Sequence, residues 1–417
     1  MDTTLLEQMF RIAVAQAQPA LAVAQNLPPR PRGRTVVIGA GKASSQMARA
    51  FELAWDGPIS GLVVTRYGYA QACERIEIVE AAHPVPDEAG FLGARRIMET
   101  VSGLGPDDLV VALMSGGGSS LLPAPALALT LDDEQAINRA LLASGAPISV
   151  MNLIRNQFST IKGGRLAARC APARVATLVV SDVPGDDPAV VASGPTIPLE
   201  GTRSLARKYV SLYRIDLPAS AQTLLAGEDN PAPLAGDPLL ANNTVRTIAS
   251  AALSLEAAAA LARSKGIEAA ILSDSIEGES RDVAQVHAAM AREVASRNRP
   301  FAKPVVLLSG GETTVTLRGK GRGGRNAEFL LALAIAIDGV EGISALAADT
   351  DGIDGSEDNA GAFVDGTTAT RLRHAGIDPL AALANNDAYS AFKAIGDLLV
   401  TGPTGTNVND FRAILVR

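Results

Sequence analysis

The chain holds three glycine-rich stretches whose residue types suit anion binding, and the most specific is SGGGSS at residues 115–120. It directly follows an apolar run. Its three successive glycines let the backbone approach an anion closely and leave N–H groups unobstructed, while three hydroxyls add donors. The pattern predicts a phosphate cradle. Its predicted ligand-binding residues are Ser115, Gly116, Gly117, Gly118, Ser119 and Ser120.

The segment VVIGAGKAS is a second such stretch, in which Gly39 and Gly41 take the first two positions of a G-x-G-x-x-G fingerprint and Ser44 the third. The acid that should hold a ribose about 20 residues later is missing, because Thr65-Arg66-Tyr67 stands there. We therefore expect a helix N-terminus that offers N–H groups, with Lys42 beside it, to a phosphoryl group or a carboxylate. A plain strand-to-helix turn with an exposed lysine is the alternative.

The third stretch, GKGRGGRNAEF at residues 319–329, carries three cations among four glycines just ahead of a predicted helix. In a chain of net charge −7, Lys320, Arg322 and Arg325 indicate a mobile arm that brings charge to a polyanion. The planar donor fork of arginine matches phosphate oxygens. A basic β-turn is the alternative.

The sequence VVLLSGGETT at residues 305–314 repeats the pattern of VVALMSGGGSS at residues 110–120. Both run from an apolar strand into Ser-Gly-Gly and then a pair of small hydroxyls. This similarity predicts two anion-holding loops, one per domain, facing a shared cleft. Chance similarity in a glycine-rich chain is the alternative.

Carboxylates cluster after two predicted strands, whereas the three histidines stand in no metal-binding spacing. Asp182 opens the first cluster, and Asp349 and Asp351 lie in the second. Isolated oxygen ligands suit Mg²⁺, which keeps several waters and shares substrate phosphates. With the cationic loops, this set describes phosphoryl transfer, in which a carboxylate orients or deprotonates the acceptor hydroxyl. We assign Asp182 and Asp349 to metal binding and Asp182 and Asp351 to catalysis; acidic solvated turns are the alternative.

An alternation of strands, loops and helices must position these residues, and it predicts an α/β fold with a mostly parallel sheet covered by helices on both faces. The Pro- and Gly-rich stretch at residues 227–238 predicts a domain boundary, and the second α/β domain has some antiparallel content. Predicted helices cover residues 1–25, 244–264 and 327–336. Predicted strands cover residues 35–38, 62–65, 108–114, 175–181, 268–273, 305–309, 315–318, 343–347 and 397–400.

Composition limits the class of protein and its partners. The 417 residues exceed the roughly 250–300 at which one hydrophobic core stops growing, so we expect two or three domains. The net charge of −7 argues against nucleic acid or an anionic membrane as the main partner. Two cysteines form no disulfide framework, no basic run precedes an apolar stretch at the start, and no apolar run reaches the length of a membrane span. We expect a cytoplasmic protein.

Eight motifs that occur in order along the chain resemble those of the class II glycerate 2-kinases, whose C-terminal part is the MOFRL domain. The resemblance runs from about residue 5 to the end. The motifs are GAGKAS, AAHPVPDEAG, MSGGGSSLLPAP, RNQFSTIKGGRLA, SDVPGDDPAVVASGPT, SGGETTVTLRGKGRGGRNAEF, ADTDGIDGSEDNAGAFVD and TGPTGTNVNDF.

The resemblance implies a Rossmann-like domain over residues 1–235, a MOFRL-type domain with a mixed sheet over residues 236–417, and an active site in the cleft between them. It implies a kinase that uses ATP and Mg²⁺ to phosphorylate the 2-hydroxyl of D-glycerate. The lysine and arginine held to be catalytic in the family fall on Lys42 and Arg325.

The remaining assignments rest on charge and position. We expect Glu312 and Asn326 to contact the nucleotide, and Arg155 and Lys162 to hold the glycerate carboxylate. Members of the family often carry the label hydroxypyruvate reductase, so an NAD(P)H-dependent reductase is the rival enzyme, although the missing ribose acid speaks against it. A sugar-acid sensor that binds without turnover is the non-enzymatic alternative. Whether the chain forms a homodimer is left open.

Overall fold

The structure, a computed structural model, describes residues 3–126, 128–227 and 232–417. Of the predicted boundary at residues 227–238, residues 228–231 lie outside the described ones. The strands are β1 (Thr35–Ala40), β2 (Ser60–Arg66), β3 (Ile76–Ala81), β4 (Leu109–Ser115), β5 (Arg174–Val180), β6 (Thr244–Ala249), β7 (Glu268–Glu279), β8 (Val305–Thr314), β9 (Ile343–Asp349), β10 (Gly361–Asp365), β11 (Leu398–Leu399) and β12 (Asp410–Val416).

Although β2 and β3, β9 and β10, and β11 and β12 follow one another with no helix in the described residues between them, helices lie between most of these strands. They are α1 (Thr3–Gln16), α2 (Pro19–Ala24), α3 (Ser44–Ala54), α4 (Glu88–Thr100), α5 (Gly118–Leu121), α6 (Leu131–Ala143), α7 (Ile148–Asn156), α8 (Arg165–Cys170), α9 (Arg203–Leu212), α10 (Ala219–Ala226), α11 (Ala251–Ser264), α12 (Ser280–Arg297), α13 (Arg325–Ala336), α14 (Thr368–His374), α15 (Pro379–Ala384) and α16 (Ala388–Ile395). None of these helices is both long enough and apolar enough to cross a membrane in the part of the chain that is described.

The N-terminal unit comprises the described residues of 19–181 and 187–248. Its sheet has the strand order β3-β2-β1-β4-β5-β6, and the pairs among β1 to β5 are parallel. β1 and β4 are buried along their whole length, as continuous apolar strands of a helix-covered parallel sheet must be. The strand order reverses between β1 and β4, and ligands of open α/β sheets bind at such a reversal, beyond the carboxyl ends of the strands.

The C-terminal unit comprises the described residues of 1–18, 182–186 and 249–417. Its mixed sheet has the order β11-β10-β9-β12-β8-β7, in which β12 is antiparallel to both neighbours and β7 is parallel to β8. The apolar run at residues 329–337 lies in α13 and its C-terminal cap and is almost entirely buried, which confirms the predicted core helix. The two-unit α/β architecture, with one parallel and one mixed sheet, confirms the predicted fold class.

The first helix packs in the C-terminal unit although the predicted boundary places it in the N-terminal domain. Phe10 is buried and meets Phe411 edge to face, with ring centroids 5.9 Å apart. Ser254 Oγ of α11 donates to the carbonyl of Ala13 at 2.9 Å. The apolar face of α1 therefore packs against residues that are far away in the sequence. The predicted helix over residues 1–25 is two helices, because Pro19 begins the second one, where its missing N–H costs nothing.

Two predicted elements differ in the structure. The predicted helix at residues 244–264 is the strand β6 followed by α11, and Ser250 caps the helix by accepting from Leu253 N at 3.4 Å. The predicted strand at residues 315–318 is absent from this described segment, because its amides bind side chains instead: Thr316 N donates to Glu279 and Arg318 N to Asn386 Oδ1. Strands β3, β6, β10 and β12 have no counterpart among the predicted strands.

Replacing Phe10 by alanine tests the placement of α1. We expect Phe10→Ala to lower the free energy of unfolding by about 3–5 kcal/mol, because a fully buried aromatic side chain leaves a cavity. Urea denaturation measures this loss. Faster amide hydrogen exchange in α11 should accompany it. Ile12→Ala is the control, since Ile12 is more than one-third exposed. An equal loss in both variants would contradict the packing described.

Candidate functional site

In the first glycine loop the backbone N–H groups are already used within the N-terminal unit. Gly41 N donates to Val64 O at 3.1 Å and Lys42 N to Gly116 O at 2.8 Å. Ala43 N donates to Ser115 Oγ at 3.0 Å and Ser44 N to Gly41 O at 3.2 Å. These four donors are therefore not offered to an anion, contrary to the predicted helix-terminus site.

The two glycines of this loop serve close packing instead of ligand contact. A Cβ at Gly39 would lie 2.4 Å from Leu113 O, and one at Gly41 would lie 2.1 Å from Ser115 Oγ. Real Cβ atoms do not approach other atoms so closely, so only glycine lets the turn after β1 touch the end of β4. The structure thus replaces the predicted cofactor contacts of Gly39 and Gly41 with a packing role.

A short turn after β4 brings glycine N–H groups beside two titratable side chains. Gly117 has a left-handed backbone, with φ of 81°. A Cβ at this position would stand 2.9 Å from His83 Nε2 and 3.2 Å from Lys42 Cγ. Gly117 N and Gly118 N donate to no other residue that the structure describes. The anion cradle therefore stays a prediction at this turn, now with the N–H groups of Gly117 and Gly118 and with Lys42 and His83 as its candidate donors.

His83 is a member of this cluster that the sequence analysis did not assign. It follows β3 and lies inside the motif AAHPVPDEAG, so its position after a parallel strand was the available signal. Burial, together with the charges of Lys42 and Arg66, lowers the pKa of His83 to about 4. At neutral pH the imidazole is therefore uncharged and can donate one hydrogen bond.

The serine hydroxyls of the SGGGSS loop point into the unit. Ser115 Oγ accepts the N–H of Ala43, as described above. Ser120 Oγ donates to Gly117 O at 3.1 Å, and Ser119 Oγ lies 2.7 Å from Ser193 Oγ. The predicted set of three free hydroxyl donors is therefore corrected: each hydroxyl already has a partner within the protein.

Arg155 and Lys162, the predicted carboxylate-binding pair, have internal partners. Lys162 is fully buried, and its Nζ donates to Glu134 Oε1 at 2.9 Å. The structure gives it a buried ion pair in place of the predicted substrate contact. Arg155 Nε donates to Asn138 Oδ1 at 2.9 Å, and its Nη1 donates to Asn152 Oδ1. Both cations hold the protein together around the cradle.

In the C-terminal unit Arg325 begins α13 and is surrounded by carboxylates. Its Nε donates to Asp410 Oδ1 at 2.7 Å and its Nη2 to Asp349 Oδ2 at 2.6 Å, while Glu312 Oε1 lies 3.5 Å from Nη1. Burial opposes the charged form, but Asp410 and Asp349 outweigh it and raise the pKa of Arg325. The guanidinium is thus fixed in place and largely neutralised, with its Nη1 edge toward the half-exposed Glu312.

Asp410 connects this cluster and is another residue that the sequence analysis did not assign. Its Oδ1 accepts from Arg325 and from Asn326 Nδ2, the latter at 2.8 Å, and its Oδ2 accepts from Arg412 Nη2 at 2.5 Å. Asp410 and Arg412 are both buried. Asp410 lies inside the motif TGPTGTNVNDF, at the start of β12, but no local pattern distinguishes it from a surface acid.

Asn326 has a structural place in this cluster. Its amide is fully buried, Nδ2 bonds Asp410, and its Oδ1 has no hydrogen-bond partner among the described residues. Asp354 accepts Asn326 N at 2.9 Å and Ala327 N at 2.8 Å, which caps the start of α13. Burial raises the pKa of Asp354 to about 6. A buried amide inside a helix cap does not reach a nucleotide, so the predicted contact of Asn326 is corrected.

The basic loop before α13 is tied down rather than free. Asn386 Oδ1 accepts Gly319 N at 3.0 Å, and Asn385 Oδ1 accepts Lys320 N at 3.2 Å. The side chain of Arg322 pairs with Glu357 and lies 4.7 Å from the centre of the Tyr389 ring. This network contradicts the predicted mobile arm.

The second Ser-Gly-Gly sequence is part of a strand and forms no anion loop. Residues 305–314 form β8 throughout. Gly311 has φ of 120°, and a Cβ there would lie 2.3 Å from Ile276 N and Ile276 O of the neighbouring strand. The glycine thus permits close strand pairing with an irregular register. The similarity of the two sequences does not extend to their structures.

The carboxylates of Asp349 and Asp351 are engaged with protein groups, and Asp182 has a contact through its backbone carbonyl. Asp349 accepts Arg325 through Oδ2 and Asp351 N through Oδ1, the latter at 3.0 Å. Asp351 Oδ1 accepts Ile353 N at 2.8 Å, and the carbonyl of Asp182 accepts Asn409 Nδ2 at 2.7 Å. No cluster of three or more histidine, cysteine or acidic side chains suited to a metal occurs among residues 3–126, 128–227 and 232–417. These acids do not form a preformed cage for Mg²⁺.

Comparisons with known proteins relate both parts of the chain to described families. Residues 5–226 match the family described as a domain of unknown function, DUF4147, and residues 305–410 match the MOFRL family. A protein of Agrobacterium vitis that carries the label of a hydroxypyruvate reductase is 54% identical, covering 99% of this chain and 94% of that protein. The D-glycerate 2-kinase of Thermotoga maritima is 42% identical, covering 97% and 95% respectively.

A solved structure supports the same relationship. The crystal structure of glycerate kinase from Thermotoga maritima superposes with a TM-score of 0.91 at 40% identity, covering 99% of both chains. The glycerate 2-kinase of Pyrococcus horikoshii is 41% identical over 92% of this chain and 88% of that protein.

Replacing Gly117 by alanine tests the cradle. We expect Gly117→Ala to weaken ATP binding by at least about tenfold, because the added methyl group displaces His83 and Lys42. Isothermal titration calorimetry measures the affinity. Gly103→Ala is the matched control: Gly103 also has a left-handed backbone, but nothing lies within 4 Å of its Cβ position. Both variants should lose about 1 kcal/mol of stability from backbone strain, but unchanged ATP affinity in Gly117→Ala would contradict the cradle.

Replacing Asp410 by asparagine tests the buried charge network. We expect Asp410→Asn to lower the free energy of unfolding by about 3–5 kcal/mol, because Arg412 loses its charged partner while it stays buried. Asp349→Asn is the control, since Arg325 keeps Asp410 when Asp349 is neutralised, and it should cost less. Urea denaturation compares them. If Asp410→Asn lowered the free energy of unfolding by less than Asp349→Asn does, Asp410 would not be the central partner of this network.

Proposed function

Because the chain belongs to the class II glycerate kinase family, in which a DUF4147 domain precedes a MOFRL domain, we propose that it phosphorylates D-glycerate. The γ-phosphoryl group of ATP goes to the 2-hydroxyl, which gives 2-phospho-D-glycerate and ADP. The substrate is a small molecule, and the relatives named above as glycerate 2-kinases align over nearly the whole chain.

The observation that carries this proposal is the cluster at the end of β4. Lys42, neutral His83 and the N–H groups of Gly117 and Gly118 converge where the strand order of the parallel sheet reverses. Phosphoryl transfer needs little covalent chemistry from the protein, so positioned cations and hydrogen-bond donors supply most of the catalysis. This cluster supplies both.

Lys42 is the stronger candidate for stabilising charge on the transferring group. Among the described residues no carboxylate forms an ion pair with its Nζ, whereas Arg325 contacts Asp349, Asp410 and Glu312. A cation that already has several anionic partners adds less to a developing negative charge. We propose that Arg325 acts through its Nη1 edge, where the longest and most exposed contact, that with Glu312, can yield to a phosphate oxygen.

The bond changes are those of an in-line displacement. The 2-hydroxyl oxygen forms a bond to the γ-phosphorus, the bond from that phosphorus to the β,γ-bridging oxygen breaks, and ADP leaves with the electron pair. The hydroxyl proton goes to a base. Asp182 and Asp351 are the two proposed acceptors. Asp351 is half-buried, and among the described residues one of its carboxylate oxygens accepts Ile353 N while the other accepts no hydrogen bond.

Mg²⁺ fits this reaction as part of the substrate. The acids of the C-terminal unit do not make a protein cage, as shown above, and Asp349 has both oxygens occupied. Mg²⁺ generally keeps several waters and binds through one or two carboxylates together with substrate phosphates. We therefore propose that the donor is the Mg²⁺ complex of ATP, and we give Asp349 no catalytic step through the metal.

The rival reductase activity has no supporting observation in this structure. The N–H groups of the first glycine loop, which would face the pyrophosphate of a dinucleotide, are used within the unit. Thr65 and Arg66 occupy the end of β2, where an acid should hold the ribose. A direct assay can distinguish the kinase activity from the reductase activity.

Removing either cation should slow the chemical step. We expect Lys42→Ala to lower kcat for ADP formation with D-glycerate by roughly 10²-fold or more, because one transition-state cation is worth a few kcal/mol. Arg325→Ala should also lower kcat, but by a smaller factor, because carboxylates already neutralise much of the Arg325 charge. A coupled assay of ADP formation measures both rates, and circular dichroism checks that each variant folds.

The controls separate the kinase from the reductase. Arg292→Ala, which removes a cation from the surface of α12, should keep the kcat of the parent chain. NADH consumption with hydroxypyruvate should be absent. Robust NADH turnover without ADP formation would overturn the proposed function, and near-normal kcat in Lys42→Ala would remove that residue from the mechanism.

A further inference from the structure

A chain of buried hydrogen bonds ends at Ser119 and fixes which way its hydroxyl proton points. Ser119 Oγ lies 2.7 Å from Ser193 Oγ, and Ser193 Oγ lies 3.3 Å from Asn152 Oδ1. The same Asn152 oxygen accepts from Arg155 Nη1. Ser193 and Asn152 are buried, while Ser119 is half-buried. The chain therefore runs from the interior of the N-terminal unit to the surface of the cradle.

The donors and acceptors in this chain can be assigned from chemistry alone. Arginine only donates, so Arg155 faces a carbonyl oxygen of Asn152 and not its amide nitrogen. An amide oxygen only accepts, so Ser193 must donate its single proton to Asn152. Ser193 then has no proton left for its contact with Ser119. Ser119 must therefore donate to Ser193, and only lone pairs of Ser119 Oγ remain for a ligand.

The backbone around Ser193 is built to hold this geometry. Ala192, Ser193 and Gly194 have consecutive positive φ angles of 54°, 60° and 59°, a conformation that disfavours side chains. Gly163 N donates to Ser193 O at 3.1 Å and Gly164 N to Gly194 O at 2.8 Å. The strained turn is thus fixed by a second segment, and strain of this kind is held in place where it positions a functional group.

A lone-pair acceptor does not suit the anionic parts of either substrate. Phosphate and carboxylate oxygens also offer only lone pairs, so Ser119 Oγ would repel them unless the whole chain reversed. D-glycerate and the ribose of ATP, however, both carry hydroxyl groups that must donate a proton to an acceptor. A hydroxyl is therefore the ligand group that matches Ser119.

We propose that Ser119 is a specificity-determining residue that accepts a hydrogen bond from a ligand hydroxyl, and that Ser193 and Asn152 are its positioning residues. This inference rests on the proposed kinase function. The hydroxyl comes either from the unphosphorylated 3-hydroxyl of D-glycerate or from the ribose. The selectivity of the site for a hydroxylated ligand then depends on the Ser119 hydroxyl donating its proton to Ser193.

Analogues that lack one hydroxyl test the proposal. D-lactate keeps the carboxylate and the 2-hydroxyl of D-glycerate but has no 3-hydroxyl, and 2′-deoxy-ATP and 3′-deoxy-ATP each lack one ribose hydroxyl. Calorimetric Kd values are measured for D-glycerate, D-lactate, ATP and the two deoxy nucleotides with the parent chain and Ser119→Ala. We expect Ser119→Ala to weaken one natural ligand by about tenfold. For the analogue that lacks the contacting hydroxyl, Ser119→Ala should change Kd by less than about twofold.

The pattern of losses identifies the source of the hydroxyl. A loss with D-glycerate and none with D-lactate assigns the 3-hydroxyl, and a loss with ATP and none with one deoxy nucleotide assigns the ribose. Equal losses for a ligand and its analogues, or no loss with any ligand, would overturn the proposal. Ser102→Ala is the control, because its exposed hydroxyl bonds only Met98 O. This variant should leave every ratio unchanged.

Variants of the positioning residues give a second readout. Ser193→Ala leaves the Ser119 proton without an acceptor, so Ser119 can donate outward. We expect the ratio of Kd between the deoxy analogue and the natural ligand to fall by about threefold or more. Asn152→Asp keeps the accepting oxygen and should keep the ratio, whereas a purely structural role would weaken ligand and analogue alike. ADP formation by the parent chain is measured first: if D-glycerate gives none, the proposed function fails. If activity is present but the ratios do not change, only this inference fails.

Discussion

The cradle depends on a close approach of two backbone segments, the turn after β1 and the end of β4. No side chain fits between them, since Cβ atoms at Gly39 and Gly41 would fall within 2.4 Å and 2.1 Å of their neighbours. This approach lets Lys42 N bond Gly116 O and Ala43 N bond Ser115 Oγ. The bonds fix the start of the SGGGSS turn. Beyond that fixed start, Gly117 N and Gly118 N have no hydrogen-bond partner among the described residues.

The glycines of the three loops therefore have different structural roles, and the glycine content of a loop does not reveal which role they have. The glycines of the first loop are needed for contact between strands. In the second loop, Gly117 N and Gly118 N have no partner among the described residues, and Gly118 also packs closely, since a Cβ there would lie 2.5 Å from Ala192 Cβ. The glycines of the third loop also provide room for close packing, because Cβ atoms at Gly319 and Gly321 would lie 2.3 Å from Asn385 O and 2.4 Å from Asp387 Cβ. A glycine supplies either room or a special backbone angle. Which of the two it supplies depends on the neighbouring strand, so sequence alone does not separate a packing glycine from a ligand-binding one.

The sequence predicted the fold class and most strands of both sheets because those depend on local patterns. Apolar runs with intervening helices are visible in any window of about ten residues. The missed strand β12, DFRAILV, carries Asp410 and Arg412, which read as surface residues until their mutual pairing is known. Lys162 was assigned to substrate for a similar reason. Its partner Glu134 is 28 residues away in the chain, and a local pattern does not show where a cation finds its counter-charge.

The two predicted catalytic cations differ in a way that only the structure reveals, and the difference follows from the cost of burying charge. Arg325 has a side chain that is 23% exposed, and a charge held so far from water needs carboxylate partners to stay ionised. Lys42 needs none, because its half-buried position beside Gly117 keeps it in contact with solvent. In the C-terminal unit, the carboxylates that fix the orientation of the Arg325 side chain therefore also neutralise much of its charge. The N-terminal unit keeps the charge of Lys42 free and fixes the donors around it instead. A transferring phosphoryl group needs both qualities, a charge that is not yet neutralised and a geometry that does not have to reorganise.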